Sequence, residues 1–231
     1  MTFGDSLQTE TGLGGTNGFV PKVCANFACN GAYYAFAGNP AFTEDSQALG
    51  GTTCVQANTN YAGNTDLNPP TGGAGLVPMG PQAAIAFYNP RRRVNLITLE
   101  CGVNDYVAGN TAAQAFTGIT NFVTAAKATG YTVFVATLTD SCHIFDGGAE
   151  TTFRAALNTS IRNGAAGQGY TVVDYAANAN IGADGASTNL TYFQIEPTCG
   201  NGSNEGVHLT AAGAAIQAGI MEAAMTAAGV P

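Results

Sequence analysis

The chain has 231 residues, 45% of them hydrophobic, which is enough for a sizeable core in one domain or two small ones. Seven Lys plus Arg against fifteen Asp plus Glu give a net charge of −8, which argues against a nucleic-acid binder, since that needs a basic stripe. No apolar stretch approaches the roughly 20 residues that span a bilayer.

The chain opens with Phe3-Gly4-Asp5-Ser6-Leu7. Gly-Asp-Ser is ordinary turn chemistry and Ser is a common helix N-cap, so the tripeptide alone does not make Ser6 a nucleophile. Only Met1, Thr2 and Phe3 precede Gly4, so if Ser6 follows a central strand, that strand is expected to be truncated or very short. Tyr33 to Phe36 reads as a weak strand, followed after a loop by Gly50-Gly51-Thr52-Thr53. Residues 58–80, rich in Asn, Gly, Pro and Thr and without periodicity, read as a long surface loop; such loops are often functional. Arg91-Arg92-Arg93 reads as a solvated loop edge.

Three apolar, β-branched runs bounded by turn residues read as buried parallel strands: 94–100, 131–138 and 170–174. Between them, helical spacing runs from Thr111 to Thr129 (Ala115, Phe116, Ile119, Phe122, Val123) and from Glu150 to Gly164 (Phe153, Ala156, Leu157, Ile161). Gly130 is placed to end the first of these as a C-cap. The last stretch, Ala211 to Ala228, is Ala-rich and sets Ile216, Ile220 and Met225 on one face. Strand–helix alternation of this kind means an α/β domain with a parallel sheet and right-handed crossovers, here read as one domain over 1–231.

Six cysteines form no metal-type CxxC pair, and their even number in a Lys-poor chain favours an oxidising compartment, secreted or periplasmic. Cys101 with Cys142, at the ends of adjacent strands, and Cys24 with Cys29 are the candidate disulfides. Sequons at Asn158, Asn189 and Asn201 are compatible with export.

In an open α/β sheet, ligands bind at the carboxyl ends of the strands. Ser6, Gly50-Gly51, Gly102-Val103-Asn104-Asp105 and Glu205-Gly206-Val207-His208 can all meet there. Those residue types suit acyl transfer: a hydroxyl nucleophile, a base, an orienting carboxylate and donors for an oxyanion. With two histidines in the chain, the base is His143 or His208.

At these blocks the chain resembles the SGNH hydrolases, or GDSL-type esterases and lipases. Phe3-Gly-Asp-Ser-Leu7, Gly51, Gly102-Val-Asn-Asp-Tyr106 and Gly206-Val-His-Leu-Thr210 stand in the family's order across almost the whole chain. The resemblance implies a three-layer α/β/α, flavodoxin-like fold with a central parallel sheet of about five strands, the first truncated. It implies Ser6 as nucleophile and His208 as base, with the Ser6 and Gly51 N–H groups and the Asn104 amide as oxyanion donors. It implies neither a cofactor nor a metal. Where the family usually has Asp three residues before this His, the chain has Glu205, expected to orient the imidazole; the rival is a solvent-facing Glu205 with His208 oriented otherwise. The expected activity is hydrolysis of carboxylic esters, of short acyl groups or carbohydrates, with lipid esters within the family's range. Transfer of the acyl group to another acceptor, or a non-catalytic binding module on the same fold, are the alternatives. No nucleic-acid partner and no transmembrane segment are expected.

Overall fold

The computed structural model describes residues 2–4, 22–23, 53–57, 88, 90–91, 93–142, 148–196, 199 and 206–231. Among them, four parallel strands lie in the order β1 (Thr2–Gly4), β2 (Leu96–Glu100), β3 (Thr132–Ala136) and β4 (Thr171–Val173). The strand expected at Tyr33–Phe36 lies outside the described residues, so the sheet described here has four strands where about five were expected. β1 spans three residues, short as the sequence indicates, and its register sets Gly4 beside Glu100.

Alternation along the strands divides the core between the two faces of the sheet. On one face, Ile97 and Leu99 of β2 and Val133 and Val135 of β3 pack against α3 (Ala112–Thr129) and α4 (Gly148–Gln168). On the other face, Phe134, Ala136 and Val173 meet α5 (Ala211–Ala227). Two short helices precede α3: α1 (Cys54–Ala57) and α2 (Val103–Val107).

α3 begins where Thr111 and Gln114 cap each other reciprocally: Gln114 N–H donates to Thr111 Oγ1 (3.2 Å) and Thr111 N–H to Gln114 Oε1 (2.8 Å). It ends at Gly130, whose φ of 108° closes the last turn. Ala115, Ile119, Phe122 and Val123 are buried as the spacing indicates, with Phe116 at the margin. α4 extends beyond the expected Gly164 to Gln168, because Ala165 and Ala166 are strong helix formers and no proline intervenes. In α5 the buried face is Ala214, Ala218, Met221 and Met225, whereas Ile216 and Ile220 lie half-buried on its flank. The expected apolar face is therefore rotated: Met225 is buried as expected, but Ala214, Ala218 and Met221 join it, and Ile216 and Ile220 pack at the margin of the cluster.

Two disulfides join these elements, Cys54–Cys101 and Cys142–Cys199. This corrects the pairing of Cys101 with Cys142. Cys101 turns toward the N-terminus of α1, and Cys142, six residues past the end of β3, reaches the segment before α5 instead. Cys24 and Cys29 lie outside the described residues. The sequon at Asn158 is a core residue: its amide accepts from Leu138 N–H (2.8 Å) and donates to Leu138 O (3.2 Å), tying α4 to the chain leaving β3. Arg91 and Arg93 are exposed, in keeping with a solvated edge.

Candidate active site

The carboxyl edge of the sheet carries the chemistry-bearing segments. β2 leads through Cys101 into Gly102, which has φ 142° and precedes the first turn of α2. A Cβ there would lie 2.7 Å from Leu157 Cδ2 and 2.8 Å from Leu138 Cδ1, so glycine alone lets the strand turn this sharply under α4. The turn places Asn104, half-buried, in the first turn of α2 just past the strand.

Asp105, next in the motif, is fully buried and points back at α1. Its carboxylate accepts from Cys54 N–H (2.6 Å) and Asn110 Nδ2 (3.1 Å). An anion at a helix N-terminus is favourable, and the Cys54–Cys101 bond fastens the same junction covalently. Burial pushes the Asp105 carboxyl above its usual range, against the hydrogen bonds from Cys54 and Asn110. Tyr106 completes the block, with its ring edge-on to Phe153 of α4 at 5.6 Å. Asn104 is thus held from both sides: α1 is bound to its neighbour Asp105 and α4 to Tyr106.

The second half of the site is an antiparallel pairing outside the sheet. Phe193 bridges Leu209, Gln194 N–H donates to His208 O (2.8 Å) and Thr210 N–H to Tyr192 O (2.8 Å). Gly206 makes this approach possible, since a Cβ there would collide with the Gln194 carbonyl. The Gly206 carbonyl accepts from Cys142 N–H (3.0 Å), which fixes the pair to the exit of β3. Behind it, Asp140 is buried in an ion pair with Arg154 (3.2 Å) and accepts from Ser187 N–H (2.8 Å).

His208 is half-buried on this pairing. Its Nδ1 is bonded to the Glu196 carboxylate, and the same Oε1 accepts the His208 backbone N–H at 2.8 Å. Nε2 is buried and finds no hydrogen-bond partner among the described residues. Burial alone would raise the Glu196 carboxyl, but the hydrogen bonds from the His208 ring and backbone outweigh it and hold the group below its usual range. In a neutral ring whose Nδ1–H donates to the anion, the lone pair is on Nε2.

Of the residues singled out in the sequence, Asn104 and His208 lie at the carboxyl edge. Ser6, Gly51, Glu205 and the other histidine, His143, lie outside the described residues. The residue missed is Glu196. Its signal is the two-residue alternation in Phe193-Gln194-Ile195-Glu196 and again in Val207-His208-Leu209-Thr210, the mark of two extended segments able to pair. Among the described residues, no cluster of three or more His, Cys, Asp or Glu could hold a metal ion. Among them, too, no helix is long and apolar enough to cross a membrane.

The family model for GDSL-like lipases/acylhydrolases matches residues 1–220, and the chain belongs to that family, whose members act on ester bonds. Among curated protein sequences none matches significantly. Solved structures share the fold at low identity. A lipolytic protein of the G-D-S-L family from Veillonella parvula is 15% identical with a TM-score of 0.60, covering 97% of this chain and 96% of its own. A carbohydrate esterase of family 3 from Talaromyces cellulolyticus is 14% identical with a TM-score of 0.57, over 99% and 96%. A salicylyl-acyltransferase from a tetracycline biosynthetic pathway is 14% identical with a TM-score of 0.59, over 99% of this chain and 54% of that one.

Proposed function

We propose that the chain hydrolyses carboxylic esters through an acyl-enzyme on Ser6, with His208 as the base. The observation that carries the reading is the His208 ring, its Nδ1 on a carboxylate and its Nε2 without a partner among the described residues. In the first step Ser6 Oγ bonds to the ester carbonyl carbon while its proton passes to Nε2. The negative charge that develops on the carbonyl oxygen is met by the Ser6 and Gly51 N–H groups and the Asn104 amide. The tetrahedral species then collapses, the ester C–O bond breaks, and the alcohol leaves with the proton from Nε2. Water repeats the sequence, releasing the acid and restoring Ser6.

The substrate reading is a short acyl group or a carbohydrate ester. It rests on the Asn-, Gly- and Thr-rich loops of residues 58–80, which suit a polar, open cleft, and the carbohydrate esterase among the structural relatives agrees with it. The acyltransferase relative favours a second reading, in which an alcohol replaces water as acceptor at the same site. Export to an oxidising compartment goes with either, supported by the two disulfides.

A nitrophenyl ester series tests the proposal. The wild type turns over the acetyl and butyryl esters fastest, and Ser6→Ala abolishes turnover while leaving the far-ultraviolet circular dichroism unchanged. Ser6→Ala with wild-type rates removes Ser6 as nucleophile, and a maximum at long acyl chains overturns the substrate reading. Product analysis with added alcohol separates transfer from hydrolysis.

A further inference from the structure

We infer that Glu196 is the positioning carboxylate of the catalytic base, reaching His208 from twelve residues upstream instead of from the three-residue spacing of Glu205. The inference deepens the ester-hydrolase reading and rests on it for its consequence in catalysis.

The contact is built in, not incidental. The antiparallel pairing sets Gln194 opposite His208, so Glu196 lies on the same face, one diagonal step along. From there one carboxylate oxygen takes both the ring Nδ1 and the backbone N–H of His208. A single acceptor thereby fixes the ring and the peptide that carries it. Gln194 Nε2 donates to Leu209 O (2.6 Å), which holds the register from the other side. Three residues beyond Glu196, Cys199 is bonded to Cys142 at the exit of β3, so the segment is tethered at its far end as well.

The imidazole has two nitrogens on opposite sides of the ring. With Nδ1 donating to Glu196, the neutral tautomer has its lone pair on Nε2, the nitrogen that must take the Ser6 proton. When that proton arrives, the imidazolium lies against an anion that burial has partly desolvated, where charge stabilisation is stronger than in water. Glu196 touches no reacting atom; it acts through His208.

The test has a readout apart from turnover. An Nδ1–H bonded to a carboxylate gives a proton resonance far downfield of the amide region. Since the chain has only two histidines, a His143→Ala background assigns it to His208. The expected result is that Glu196→Gln abolishes this resonance, Glu196→Asp shifts it and Glu205→Gln retains it. Glu196→Gln also lowers kcat about 10³–10⁴-fold with little change in KM, as when the orienting acid of a triad is neutralised, and Glu196→Asp restores part of it. Loss of the resonance in Glu205→Gln with retention in Glu196→Gln overturns the inference and returns the role to Glu205. If the resonance behaves as expected but Ser6 takes no label from a phosphonate ester, the positioning stands and the hydrolase reading falls.

Discussion

At the residue scale, the site depends on side chains whose neighbours leave them little freedom. Asn104 sits in the first turn of a five-residue helix between Asp105, bound to Cys54 N–H, and Tyr106, packed on Phe153. Such flanking is what an oxyanion donor needs, because its contribution comes from being aimed before charge develops. Asn104→Ala is therefore expected to cost about 10²–10³-fold in kcat with KM nearly unchanged. Steady-state kinetics on a nitrophenyl ester checks it, and a change confined to KM would make Asn104 a substrate contact instead. Glycine is required in both motif blocks at this scale. Gly102 combines a positive φ with side chains of Leu157 and Leu138 that leave no room for a Cβ, and at Gly206 the Gln194 carbonyl alone leaves none.

At the scale of elements, the two disulfides among the described residues hold different halves of the site. Cys54–Cys101 joins α1 to the end of β2, on the Asn104 side. Cys142–Cys199 joins the exit of β3 to the segment that carries Glu196. It closes a loop of 57 residues, for which the chain-entropy model gives about 4 kcal/mol of stability. Cys142→Ala/Cys199→Ala is expected to lower the urea midpoint accordingly. It is also expected to lower kcat well below the melting transition, because Glu196 then depends on the short pairing with residues 206–210 alone. A variant that loses stability but keeps full kcat would mean that the Phe193–Leu209 pairing positions Glu196 unaided.

For the whole molecule, buried and half-buried carboxylates set how stability follows pH. Glu196 and Asp174 are held below the usual range: burial raises each, but hydrogen bonds from His208 in one case and from Arg162 and Thr137 in the other prevail. Groups lowered in this way stabilise the fold above their unfolded values, about 4, and lose that contribution as pH falls through the folded values. Asp105 and Asp140 are raised by burial. They favour folding below the unfolded value and lose that contribution as pH rises through the folded one. The net charge of −8 at pH 7 adds self-repulsion in the same direction on the alkaline side. The melting temperature is expected to peak near pH 4–5 and to decline on both sides, the acid limb flattening in Glu196→Gln. Differential scanning calorimetry across pH 3–8 checks this, and a melting temperature that climbs steadily to pH 8 contradicts it.

Local pattern was enough for β2, β3, β4 and the three long helices, but not for the short α1 and α2. The β-branched runs at 94–100, 131–138 and 170–174, the helical spacing from Thr111 to Thr129 with Gly130 at its end, and the order of the Ser6, Asn104 and His208 blocks all depend on neighbours in the chain. These local features define those strands, those helices and the family. What depends on residues far apart in the chain was decided by packing. Cys101 pairs with Cys54 because α1 lies across the end of β2, and Asn158 is a core residue because α4 brings it to the Leu138 backbone. α5 turns Ala214, Ala218, Met221 and Met225 into the core and leaves Ile216 and Ile220 at its margin, a rotation set by what the helix packs against. The carboxylate on His208 belongs to the same class. Spacing along the chain points to Glu205, but the antiparallel pairing of 192–196 with 206–210 delivers Glu196 to Nδ1, and only the tertiary structure creates that neighbour.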